Sequence, residues 1–294
     1  TNSPDNQDFY NYLLYLADQR NEGDEFQKTI SSETASQKDK ERAKTALEGL
    51  SDKVLAYQKK FIADHPGSLP AAIIEANLPT EFPEFVGTEE EINEKKWRWM
   101  QKHYFDNIDL GDTRMLRTPF LFQRVDYFVQ KLQVQHPDSI AIAIDFVLEK
   151  MRPSEDNFKF YLIHFLNFYA ASKFVGMDAV YVHLVDKYYA VGQAPWTEQE
   201  QLEKIVDNAN RLRPLLIGKT APDLEMERRD GSKISLSEVE APYTVLYFWR
   251  YDCGHCKKST PILAEFYQKF KDRGVKIFAS CAKLRDEVPE CWDY

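Results

Sequence analysis

A chain of 294 residues is about twice the size of a typical domain, which points to two domains. With 43% apolar and 29% charged residues, and with 19 Phe, 16 Tyr and 5 Trp, the composition is that of a packed globular protein and excludes general disorder. The net charge of −9 opposes a phosphate-backbone partner, and no apolar run approaches the roughly 20 residues that cross a bilayer, so neither nucleic-acid binding nor a transmembrane segment is expected. The chain begins at Thr1 without a basic-plus-apolar leader, and we expect a processed product whose targeting segment lies outside it.

The first expected helix covers Asp8 to Asp18, where Phe9, Tyr12, Leu13, Leu16 and Ala17 recur at helical spacing. From Glu33 to Asp64 the residues Ala43, Leu47, Leu50, Val54, Tyr57 and Phe61 form one apolar stripe of a long amphipathic helix. With fewer than four heptads and Gly49 inside, that stripe is expected to pack on the chain's own helices rather than on a coiled-coil partner. His65-Pro66-Gly67-Ser68 ends it, and Ser68 is placed to cap the next helix. Thr88-Glu89-Glu90-Glu91 is a capping box opening a helix through Trp97, Trp99 and Tyr104, and Thr197-Glu198-Gln199-Glu200 is read as a second such box. Between them, helices are expected over Phe120–Leu132, Asp138–Met151, Pro153–Ala171 and Met177–Tyr189, joined by short breaks that make antiparallel neighbours.

Nothing in this helical stretch carries chemistry. The aromatic residues Phe158, Phe160, Tyr161, Phe165, Phe168 and Tyr169 read as a buried core helix, and His164 and His183 as core-edge histidines outside any metal-ligand spacing. The phrase His65-Pro66-Gly67-Ser68-Leu69 is echoed by His136-Pro137-Asp138-Ser139-Ile140, a weak hint of a duplicated helical pair.

The last part differs in kind. Residues 218–294 hold 13 basic and 13 acidic residues, leaving 25 and 34 in residues 1–217, and all four Cys lie in this neutral stretch. Asp230-Gly231 marks a hairpin between Leu224–Glu227 and Lys233–Leu236. Thr244 to Trp249 is a continuous apolar run expected to form a strand buried on both faces, followed by Cys253-Gly254-His255-Cys256, a helix over Thr260–Lys271 and a strand over Val275–Ala279. Strand, Cys-x-x-Cys, helix and strand make a β-α-β unit with Cys253 at the helix start, where unpaired N–H groups and the helix dipole favour a thiolate. Cys256, about one turn on, can attack a mixed disulfide on Cys253. His255, Lys257 and Lys258 are expected to help the anion, and Asp252 to oppose it.

The run Phe248-Trp249-Arg250-Tyr251-Asp252-Cys253-Gly254-His255-Cys256-Lys257-Lys258-Ser259-Thr260-Pro261 resembles the active-site segment of the thioredoxin superfamily. Gly218-Lys219-Thr220-Ala221-Pro222 and Asp230-Gly231-Ser232-Lys233-Ile234-Ser235-Leu236 resemble its extracytoplasmic TlpA-like branch, and the helical part more loosely resembles an uncharacterised helical domain of secreted bacterial thioredoxin-like lipoproteins. The resemblance implies a mainly α-helical N-terminal domain plus a partial α/β thioredoxin-like (β-α-β) C-terminal unit, with segments 1–82, 83–217 and 218–294. It implies a thiol–disulfide oxidoreductase in which Cys253 attacks, Cys256 resolves, and Trp249, His255 and Pro261 tune the site. No cofactor is implied beyond the redox-active Cys253–Cys256 disulfide, and no metal. Partners would be protein thiols or disulfides and a redox partner, in the periplasm or cell envelope, and the resemblance to lipoproteins implies a lipid anchor upstream. The Cys-Gly-His-Cys core is shared with disulfide isomerases and implies a more oxidising pair than one with Pro in the middle.

This chain departs from that pattern in three places. Tyr247 stands where thioredoxins proper often keep a buried acid, and Asp252 replaces an aromatic residue. The sequence ends at Tyr294, 38 residues after Cys256, before the family's later strand pair, cis-Pro loop and last helix, and we expect a C-terminally truncated piece of a longer protein. Pro289 is no substitute for the cis-Pro. Cys281 and Cys291 are a possible second thiol pair; at ten residues apart they do not complete a zinc site with Cys253 and Cys256, and free thiols are favoured over a disulfide. The alternative function is a helical binding or scaffold module with a catalytically inert thioredoxin-like remnant. A peroxidase would need a Thr-x-x-Cys site, which is missing.

Overall fold

The computed structural model describes residues 4–283 and 287–293. The chain divides into two compact units, the boundary in sequence falling between Leu216 and Ile217.

The first unit is helical. α1 (Pro4–Ser31) and α2 (Gln37–Asp64) pair along the stripe anticipated for α2, with Ala43, Leu50 and Phe61 buried. α1 runs well past Asp18, and at Gly23 the two helices approach until a Cβ would touch Leu50 and Leu47 at 3.4 and 3.5 Å. α2 begins at Gln37 rather than Glu33, since the Ser36 hydroxyl caps it by accepting the Asp39 N–H. Tyr12, Phe61 and Ile74 form a small core with α3 (Leu69–Glu75), which Ser68 caps. α4 (Glu89–His103) opens on the expected box, Glu91 N–H to Thr88 Oγ1 and Thr88 N–H to Glu91 Oε2.

α5 (Pro119–Gln130), α6 (Pro137–Met151), α7 (Glu155–Ala170), α8 (Asp178–Leu184) and α9 (Gln199–Leu212) enclose the main core of the unit. Phe158, Tyr161, Phe165 and Tyr169 of α7 are buried in it, whereas Phe160 and Phe168 face outward at 44% and 42% exposure. α8 runs into one turn of π-helix at Val185–Tyr189. The second expected capping box does not form: Glu198 is the N-cap of α9 and makes no side-chain cap bond. The two His-Pro phrases also differ, Ser68 capping α3 but His136 Nδ1 accepting the Asp138 N–H at the start of α6.

The second unit begins with the hairpin of β1 (Glu225–Glu227) and β2 (Lys233–Ser235), whose turn holds Gly231 at φ +82°. β3 (Tyr243–Trp249) and β4 (Val275–Cys281) pair in parallel, Trp249 opposite Cys281, across α10 (Gly254–Phe270). Gly274 closes the return to β4 at φ +85°, where a Cβ would lie 2.7 Å from Pro242. β3 is not buried on both faces as its apolar run suggested. Tyr247 donates or accepts hydrogen bonds with the hydroxyls of Ser259 and Thr260 on α10, while Leu246 and Phe248 on the opposite face are 39% and 55% exposed. Among the described residues no helix is long and apolar enough to cross a membrane.

Candidate active site

β3 ends at Trp249, a short turn follows, and Cys253 becomes the N-cap of α10. Its Sγ accepts the backbone N–H of Cys256 at 3.4 Å, in the role a Ser or Asp oxygen plays at most helix starts. The sulfur is thus aimed at the positive end of a 17-residue helix. Both Cys253 and Cys256 are free thiols and partly exposed, so the structure holds the reduced dithiol rather than the disulfide form of the pair.

Cys253 is held below the ordinary thiol range. The Cys256 thiol beside it contributes most, then the Cys256 backbone N–H; burial opposes them, and the His255 backbone N–H and the Arg250 charge add smaller stabilising effects. This corrects one expectation, since the leading charged side chain is Arg250. Lys257, Lys258 and the His255 side chain are exposed on α10, and His255 acts through its backbone. Asp252, expected to oppose the thiolate, is itself engaged. Arg250 binds it through Nε at 3.0 Å and Nη2 at 2.7 Å, and Lys283 Nζ lies 3.0 Å from Oδ2. Those contacts, Arg250 first, hold its carboxyl well below the usual carboxylate range.

Pro261 lies inside α10 and has no N–H for the preceding turn. Around it the Ser259 hydroxyl donates to the carbonyls of His255 and Cys256, and the Thr260 hydroxyl to Cys256. Trp249 lines a cavity of about 500 Å³ with Met226, Cys281, Lys283, Cys291 and Trp292.

Cys281 and Cys291 are joined as a disulfide, contrary to the expectation of free thiols. Each sits on the element anticipated, a strand end and a helix, but α11 (Val288–Asp293) folds back on β4 and brings the two Cα atoms to 6.3 Å, inside the range a disulfide spans. Among the described residues no group of three or more His, Cys, Asp or Glu could hold a metal ion. His183 is bonded to Asp145, and His164 lies among the rings of Phe122, Phe160 and Phe168, where burial lowers its pKa.

Sequence reasoning missed Lys283 and Asp145. Asp145 accepts hydrogen bonds from His183, Lys187 and Tyr188, contacts between α6 and the α8–π-turn segment that no local pattern announces.

Comparison with known proteins places these units. Residues 27–213 match the family described as a domain of unknown function (DUF5106), well over half of the chain. The chain belongs to the DUF5106 family. Residues 217–288, the unit bearing the Cys pair, match the AhpC/TSA family. The chain is similar to the thiol-disulfide oxidoreductase ResA of Bacillus anthracis, 38% identical over 70 residues that cover 24% of this chain and 40% of that protein. It is also similar to ResA of Bacillus subtilis (strain 168), 39% identical over 62 residues that cover 21% of this chain and 35% of that one. The chain thus spans less than half the length of the curated relatives it matches. In fold it is like a thioredoxin-like protein from Bacteroides caccae, with a TM-score of 0.52 at 16% identity over 74% of this chain and 80% of that one. The C-terminal unit of this DUF5106 chain is thioredoxin-like.

Proposed function

We propose that this chain carries the dithiol centre of an extracytoplasmic thiol–disulfide oxidoreductase, with Cys253 as nucleophile and Cys256 as resolving thiol. The single observation that carries the reading is the seat of Cys253 Sγ on the first N–H groups of α10, with a free Cys256 one turn on. Similarity to thiol-disulfide oxidoreductases over this unit supports it. The Cys253 thiolate attacks one sulfur of a substrate disulfide, the substrate S–S bond breaks, and the departing thiolate takes up a proton. Cys256 then gives up its proton and attacks Cys253 Sγ. That releases the second substrate thiol and leaves Cys253–Cys256 oxidised, two electrons having passed to the substrate. The reverse direction uses the same atoms, and a redox partner resets the pair. Trp249, His255 and Pro261 shape the site, and no cofactor beyond the cysteine pair is called for. The Cys281–Cys291 disulfide supports placement in an oxidising compartment such as the periplasm or cell envelope.

Insulin reduction tests this. Cys253→Ser should abolish turnover, and Cys256→Ser should accumulate a mixed disulfide on Cys253. Undiminished turnover in Cys253→Ser would overturn the assignment, and failure of the pair to cycle between dithiol and disulfide would favour the helical scaffold with an inert thioredoxin-like remnant.

A further inference from the structure

Asp252 directly precedes the reactive cysteine, and a carboxylate there would oppose the thiolate unless it is neutralised. The structure spends two cations on it. Arg250 is an exposed partner with half its side chain in solvent (51%), but Lys283 is only 9% exposed, with Nζ 3.0 Å from Asp252 and 2.7 Å from Glu287, over the face of Tyr251 at 5.0 Å from the ring centroid. A lysine so little exposed and held between two carboxylates is placed by something stiffer than its own chain, because four rotatable bonds must be fixed.

That stiffness comes from the second disulfide. Lys283 follows Cys281 by two residues, and Glu287 precedes Cys291 by four. Both ends of the Lys283–Glu287 pair therefore lie inside the loop that the Cys281–Cys291 bond closes. On the other side, the Ala282 N–H donates to the Trp249 carbonyl at 2.9 Å, fixing the start of the loop to the strand that leads into the Cys pair.

We propose that Lys283 is a positioning residue for the Cys253 thiolate, pinned on Asp252 by the Cys281–Cys291 disulfide. By taking a share of Asp252, it leaves the Arg250 charge available to the sulfur. The charged and titratable groups around the pair are Arg250, Asp252, His255, Cys256, Lys283 and Glu287. The inference rests on the reading of Cys253 as nucleophile.

The test is the pH profile of Cys253 alkylation by iodoacetamide, read by peptide mass spectrometry on the full chain. Lys283→Met should slow the reaction about three-fold below the midpoint, corresponding to roughly half a pKa unit. Lys283→Arg should keep the profile. Adding Asp252→Asn to Lys283→Met should restore the rate to within about two-fold of the unaltered chain, since both members of the charge pair are then gone. A packing role for Lys283 would not be rescued in this way. Cys281→Ala with Cys291→Ala should shift the profile in the same direction as Lys283→Met. An unmoved profile in Lys283→Met, or no rescue by Asp252→Asn, overturns the proposal, and a shift in Lys283→Met without one in the double Cys variant overturns the tether. An ordinary thiol profile in the unaltered chain would instead overturn the proposed function itself.

Discussion

Replacing Asp145 by Ala should destabilise the helical unit by about 1–4 kcal/mol, the larger part of it through one neighbour. Tyr188 is fully buried, and its hydroxyl donates to Asp145 Oδ1 at 2.7 Å. Without the carboxylate that hydroxyl is left without its acceptor in the core, which costs about 1–3 kcal/mol. His183, with Nε2 at 3.0 Å from both carboxylate oxygens, and Lys187, with Nζ at 2.7 Å, are 33% and 42% exposed and can return to water. Their loss adds at most about 1 kcal/mol. Asp145→Asn keeps an acceptor for Tyr188 and should cost about half as much as Ala, while Tyr188→Phe removes the donor and should cost only about 0.5–1.5 kcal/mol. The double variant Asp145→Ala with Tyr188→Phe should then be less destabilised than the two single losses summed, because no buried group is orphaned. Urea unfolding followed by helical circular dichroism measures all four. Strict additivity, or an Asp145→Ala loss no larger than that of Asp145→Asn, would refute this reasoning.

The same residue sets an acid dependence. Burial would raise the Asp145 pKa, but hydrogen bonds from His183, Lys187 and Tyr188 more than offset it and hold it below the ordinary value. Its contribution is therefore fully present above the unfolded pKa near 3.9 and is lost as pH falls through the lower folded value, and Asp145→Asn should flatten that part of the pH–stability curve. Titration of unfolded protein with a thiol reagent should find the Cys253 and Cys256 thiols without reductant and all four cysteines after reduction; four free thiols at the outset would contradict the Cys281–Cys291 bond. Phe165→Ala should cost about 3–5 kcal/mol in urea unfolding, as Phe165 is 1% exposed in the main core, and a loss under about 1 kcal/mol would mean that core is misplaced.

What the sequence revealed was local. The α2 stripe, the Thr88–Glu91 box and the seat of Cys253 before a helix are patterns within a few residues, and each is found where periodicity and capping chemistry put it. Even so, Thr197 looked as good a cap as Thr88, and the N-cap falls one residue later, on Glu198, because a cap depends on how the chain enters the turn. The apolar run of β3 resembled a two-sided core strand, yet among the described residues its Leu246–Phe248 face remains open. The decisive polar contacts join separate elements: Asp145 to His183 spans 38 residues, and Lys283 reaches Asp252 from the far end of β4. Neither leaves a mark in spacing. Cys291 could be placed on a helix but not against Cys281, since the direction in which α11 folds back is a tertiary fact.

The rate of Cys253 alkylation against pH in the unaltered protein probes the acidity that the helix start, the neighbouring thiol and Arg250 confer on this sulfur. The account predicts a midpoint clearly below the ordinary thiol value of about 8.5, with Cys253 reacting ahead of Cys256. A midpoint at or above that value, or preferential modification of Cys256, would contradict it.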